Sequence, residues 1–97
     1  LVKLLLPDDI ASRLNIALAK ARRQEIGGLI VGEHVKDETF QIVDISIQTS
    51  HGTRTHFERD PVLHEEFLRE FFERTGGDFE RYNYLGEWHS HPSFDPL

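Results

Sequence analysis

The sequence predicts an α/β domain in which a small mixed sheet is sandwiched by helices. Two stretches carry apolar residues at helical spacing, about 7–24 and 60–75. Short apolar runs lie around and between them. The resulting order is strand, helix, hairpin strands, short strand, helix, strand, which calls for helices layered on a sheet. At 97 residues the chain reads as one domain, 1–97, able to bury a modest core.

Val2 to Leu6 is apolar and reads as a first strand. Pro7 suits the first position of a helix, and Asp8 and Asp9 complement its dipole. Ile10, Leu14, Ala17, Leu18 and Ala21 then form one stripe, with Arg13, Lys20 and Arg22 off it. Gly27-Gly28 should break this helix, leaving Leu29 to Val31 as a buried strand. Val35 to Glu38 should hold a hairpin turn into a second long strand, Thr39 to Thr49. Along that strand Phe40 and Ile42 share one parity, whereas Val43, Ile45 and Ile47 share the other. The change of phase predicts a bulge near Ile42–Val43 or a change of burial. Ser50 to Arg59 is polar and reads as a loop with a short strand around His56–Glu58.

Asp60-Pro61 opens the second helix as cap and first turn. Leu63, Phe67, Leu68, Phe71 and Phe72 form its apolar stripe, a core face rather than a cofactor site. Glu65–Arg69 and Glu70–Arg74 pair on the outer side, and Thr75-Gly76-Gly77 ends the helix. Asp78 to Asn83 then leads to a last strand.

Composition excludes several classes. With no cysteine there is no disulfide, thiolate metal site or cysteine nucleophile, and a cytoplasmic protein is expected. A net charge of -6 argues against nucleic-acid binding, which needs clustered cations. No apolar run is long enough for a membrane span.

The chemistry-bearing stretch is Tyr84-Leu85-Gly86-Glu87-Trp88-His89-Ser90-His91-Pro92. Residues two apart in a strand share a face, so His89 and His91 point the same way, with Cα atoms roughly 7 Å apart at about 3.3 Å per residue. Two imidazoles so placed can converge on one metal ion. Trp88 points away, into the core, and Pro92 should end the pairing. His-x-His also arises by chance in a chain with six histidines, so the spacing alone leaves a surface reading open. Glu25, where helix meets strand, reads by position alone as a solvated helix-end acid. His34, His51, His56 and His64 have no partner at metal-ligand spacing, and His64 falls on the exposed side of its helix.

Gly86-Glu87-Trp88-His89-Ser90-His91-Pro92, taken with Glu25-Ile26-Gly27-Gly28-Leu29-Ile30-Val31-Gly32, resembles the JAMM metalloproteases, also called the JAB or MPN-plus domain, and most closely their prokaryotic branch. The order of elements matches too, so the resemblance covers nearly the whole chain and implies the JAB/MPN, cytidine-deaminase-like arrangement. It implies a Zn2+ enzyme in which His89 and His91 are metal ligands and Glu25 is the general acid/base. The reaction implied is hydrolysis of an amide or isopeptide bond after the tail of a ubiquitin-like protein. The family's third ligand, an aspartate, and its oxyanion-stabilising serine match positions beyond Leu97. Asp95 and Ser93 are too close to His91 to take those roles. The rival readings are a non-catalytic MPN-type scaffold that binds partners, disfavoured because Glu25, His89 and His91 occur together, and a DNA-associated relative, disfavoured by the acidic balance.

Overall fold

A computed structural model describes residues 1–53 and 56–92. Its elements are β1 (Lys3–Leu5), α1 (Asp8–Ala21), β2 (Gly27–Lys36), β3 (Thr39–Ile45), α2 (Pro61–Arg74) and β4 (Tyr82–His89). The four strands form one sheet in the order β1-β3-β2-β4. β1 runs parallel to β3, while β2 is antiparallel to both β3 and β4. The expected mixed sheet with two helices is therefore present. No helix among the described residues is long and apolar enough to cross a membrane.

The predicted bulge lies at Val43. Val31 pairs with Asp44 and Gly32 with Ile42, so Val43 has no partner across the ladder. Strict alternation would put Ile42 and Ile45 on opposite faces. The extra residue resets the phase, and both join Ile10 of α1 in one buried cluster, with Leu14, Ile30, Ile47 and Leu85 packed around it. The hairpin from β2 to β3 turns through Asp37 and Glu38, with Glu38 at φ 50°.

α2 packs on β2 and β4. Leu29 and Val31, which alternate with Ile30 along β2, are both buried on the face away from the Ile10 cluster. Phe71 is fully buried and meets the Tyr82 ring edge-on at 6.3 Å. Asp44 accepts a hydrogen bond from Arg13 of α1 at 2.7 Å and lies 3.5 Å from Arg74 of α2. One carboxylate thus meets an arginine from each helix.

Four expectations need correction. Helix α1 stops at Ala21, and Arg22 turns the chain at φ 57°; the glycine pair does not break the helix but begins β2. A Cβ on Gly28 would lie 1.9 Å from the Ser46 carbonyl oxygen, so this glycine permits close strand contact. Regular pairing in β3 ends at Ile45, after which Ser46 N–H donates to the Leu29 carbonyl at 3.0 Å and Gln48 bridges Gly27. The short strand expected near 56–58 is a single bridge between Gly52 and Phe57. Finally, His64 is buried and Leu63 exposed. The buried line centres on Phe71, and a residue seven earlier lies only about 20° from it around the helix.

Candidate active site

The sequence builds the site by joining two chain segments at one end of the sheet. Gly27 pairs with His89 and Gly28 with Trp88. The pairing continues past β4: Ser90 N–H donates to the Ile26 carbonyl at 2.8 Å, and Ile26 N–H donates to Ser90 Oγ at 3.0 Å. This reciprocal pair holds residues 25–26 against 90–91. Ser90 alternates with the histidines, so its side chain leaves the strand on the opposite face, where its hydroxyl accepts the Ile26 N–H. Among the described residues, Ser90 makes the last backbone hydrogen bond of this ladder, just before Pro92.

The structure brings Glu25, His89 and His91 together. The two imidazole rings lie 4.3 Å apart, centroid to centroid, at 76° to each other. Glu25 Oε1 is 3.8 Å from His91 Nδ1, an electrostatic neighbour rather than a direct hydrogen bond. Glu25 is not the solvated acid that its position suggests: it is 5% exposed, and its Oε2 is buried with no hydrogen-bond partner among the described residues. A buried polar atom without a partner carries a desolvation penalty, so it needs an explanation.

Gly52 and Thr53 form the wall beside Glu25. Glu25 N–H donates to the Thr53 carbonyl at 2.6 Å. A Cβ on Gly52 would come within 1.9 Å of the Glu25 carbonyl oxygen. A Cβ on Gly27 would meet Trp88 O at 2.7 Å, Phe57 Cε2 at 3.0 Å and His89 Cβ at 3.1 Å. The bare backbone at Gly27 thus lets Phe57 close on the strand beside His89. Next to it opens a cleft of about 310 Å³ between Phe57, Trp88 and His89, edged by an Arg59–Glu87 ion pair. Trp88 is half-buried, and its indole N–H donates to the Ser46 carbonyl at 3.0 Å.

The remaining histidines stand apart from this group. His34 stacks on Phe40 at 4.8 Å, while His51 and His56 are exposed. Burial in α2 lowers the His64 pKa; Arg59 lowers it further, and Asp60 partly opposes both.

Two imidazoles are two of the three protein ligands that a catalytic zinc takes, and the buried carboxylate lies beside one of them. Among the described residues, no group of three or more His, Asp or Glu could hold a metal. His89 and His91 supply part of a donor set, and Ser93 and Asp95 lie outside the described residues.

This fold, with an acid beside two histidines at one strand end, defines a small JAB-type α/β domain. Residues 8–97 match the family described as prokaryotic homologs of the JAB domain, and the chain belongs to that family. It is 35% identical over 75 residues to a CD-NTase/cGAS isopeptidase of Vibrio cholerae serotype O1 (strain ATCC 39315 / El Tor Inaba N16961), covering 75% of this chain and 46% of that protein. It is 34% identical over 74 residues to a CD-NTase/cGAS isopeptidase of Escherichia coli (strain TW11681), covering 74% and 45%. The matched segment thus spans just under half the length of these relatives.

Proposed function

We propose that this domain hydrolyses an isopeptide or peptide bond with a water activated at a zinc site, of which His89 and His91 are two ligands. The observation that carries this reading is the buried Glu25 carboxyl, with its unpartnered oxygen, held beside two imidazoles that face the same way. Zinc, when bound, brings a water's pKa down to about 7 and polarises the scissile carbonyl.

The chain's own residues do the rest. Glu25 accepts the proton of the attacking water and passes it to the leaving amine. Ser90 and Ile26 keep that carboxyl in register with His91. Gly52, Thr53 and Phe57 limit water access on one side. The substrate class follows from the relatives named CD-NTase/cGAS isopeptidase and from the resemblance to JAMM enzymes: a ubiquitin-like protein joined through its C-terminal tail. β4 has one hydrogen-bonding edge on β2 and is the last strand of the sheet. An extended tail can add to its other edge and run towards His89.

The test uses the full-length protein, a ubiquitin-like fusion and bound-metal analysis. Glu25→Gln is expected to keep stoichiometric zinc and lose cleavage by at least about a hundredfold, as general acid–base catalysis implies. His89→Ala is expected to lose both metal and cleavage. Full cleavage by Glu25→Gln refutes the assignment, while a parent protein that binds partners without zinc or cleavage identifies a scaffold.

A further inference from the structure

Gln48 lies just past β3, buried to 3% exposure. Its backbone bridges Gly27 in both directions, with Gln48 N–H to Gly27 O at 2.7 Å and Gly27 N–H to Gln48 O at 3.3 Å. Its side chain uses both ends. Nε2 donates to the Ser50 carbonyl at 2.9 Å and to the Glu58 carbonyl at 2.7 Å. Oε1 accepts from Asp60 N–H at 2.9 Å. These partners are the two ends of the 50–58 loop and the residue that caps α2 through bonds from Val62 and Leu63.

This is the loop that rests on Glu25. Thr53 O accepts from Glu25 N–H, Gly52 packs on the Glu25 backbone, and Phe57 closes on Gly27 beside His89. Across the loop, Glu58 N–H donates to His51 O at 3.0 Å and Thr53 N–H to His56 O at 2.7 Å. Only a side-chain amide of this length can donate to two carbonyls and accept from an N–H at once; a carboxylate lacks the donors, and a thioether lacks them too and accepts only weakly.

We propose that Gln48 is a positioning residue: its single amide staples residues 50–53 and 56–58 and the start of α2 to the Gly27 end of β2, and thereby holds Glu25 in place beside His91 and Phe57 beside His89. The inference rests on the roles proposed for Glu25 and His89, but part of its test does not.

The test compares the full-length parent with Gln48→Met by residue-resolved amide exchange, by cleavage of a ubiquitin-like fusion, and by titration with zinc alone. Local opening is expected to speed exchange at Asp60, Glu58 and Glu25 by about tenfold or more, with Val31 and Ile42 in the sheet within about twofold of the parent. Looser placement of the acid is expected to lower kcat about tenfold while KM and the zinc Kd stay within about threefold. A residue that only stabilised the fold would raise exchange at Val31 and Ile42 as well. Unchanged exchange at Glu25 alongside faster exchange at Asp60 overturns the proposal. If Gln48→Met does not fold, exchange in the parent decides: Glu25, Glu58 and Asp60 should open with one common free energy, and clearly different values overturn the staple. If the parent cleaves no fusion, the enzymatic reading fails, and amide exchange still judges the staple.

Discussion

Replacing Glu25 with methionine should stabilise the metal-free protein while abolishing hydrolysis. Glu25 is 5% exposed and one of its carboxyl oxygens is buried without a partner. Leaving such an atom desolvated costs about 1–3 kcal/mol. Methionine has similar length and fills the space with no polar atom, and volume-conserving swaps of this kind disturb packing by less than about 1.5 kcal/mol. The backbone bond from Glu25 N–H to Thr53 survives the change. The balance is a net gain of about 1 kcal/mol, or roughly 4–8 °C in Tm for a domain of this size. Thermal unfolding in chelator is the assay, paired with cleavage of a ubiquitin-like fusion in zinc. Glu25→Met should melt higher and cleave nothing. A variant that melts lower by several degrees would show that the carboxyl is satisfied in the fold, and the argument for a group held ready for catalysis would fail.

Ser90→Ala removes the acceptor of the half-buried Ile26 N–H, so unfolding in urea should show a loss of about 1–3 kcal/mol; an unchanged midpoint would remove Ser90 from the account. Gly28→Ala drives a methyl to within 1.9 Å of a backbone oxygen and should destabilise by about 1–3 kcal/mol or more, read as a drop in Tm; a silent substitution would mean that β2 and the Ser46 segment are not so close. His64 makes stability depend on pH. Its pKa is lowered in the folded state from 6.5, chiefly by burial and then by Arg59, so the unfolded chain takes up the proton first. Stability should therefore hold above pH 6.5 and fall as pH drops below it towards the depressed folded value. His64→Leu should flatten that part of the profile in denaturant titrations between pH 7.5 and 5, and an unaltered slope would refute the cause.

Much of this arrangement was legible in the sequence because it depends on local pattern. The phase shift at Ile42–Val43 located a bulge, since the parity of apolar residues must follow the buried face. Asp60-Pro61 marked a helix start because the cap and its proline act within one turn, and Asp60 does accept from Val62 and Leu63. Other features depend on what lies across space. Glu25 looks solvated in one dimension and is buried in three, where Gly52 and Thr53 pack against it. Gln48 and Ser90 are ordinary polar residues until their partners, 12 residues away and 64 away respectively, are known. Leu63 and His64 exchanged places for a related reason: both fit an amphipathic helix, and contact with the sheet at Phe71 selects which one turns inward.

The same crowding explains why the site sits where it does. At Gly27 and Gly28 the backbone of β2 is approached from three sides, by β4, by the Ser46 segment and by Phe57. Side chains there would push these apart and separate residues 25–26 from 90–91. With none present, two segments 64 residues apart in sequence are joined by the paired bonds of Ile26 and Ser90. A carboxyl and two imidazoles then lie close together at a sheet end, where regular pairing stops. The glycine pair therefore belongs to the chemistry as much as to the fold. It contributes no reacting atom, but the distance between Glu25 and His91 depends on its lack of side chains.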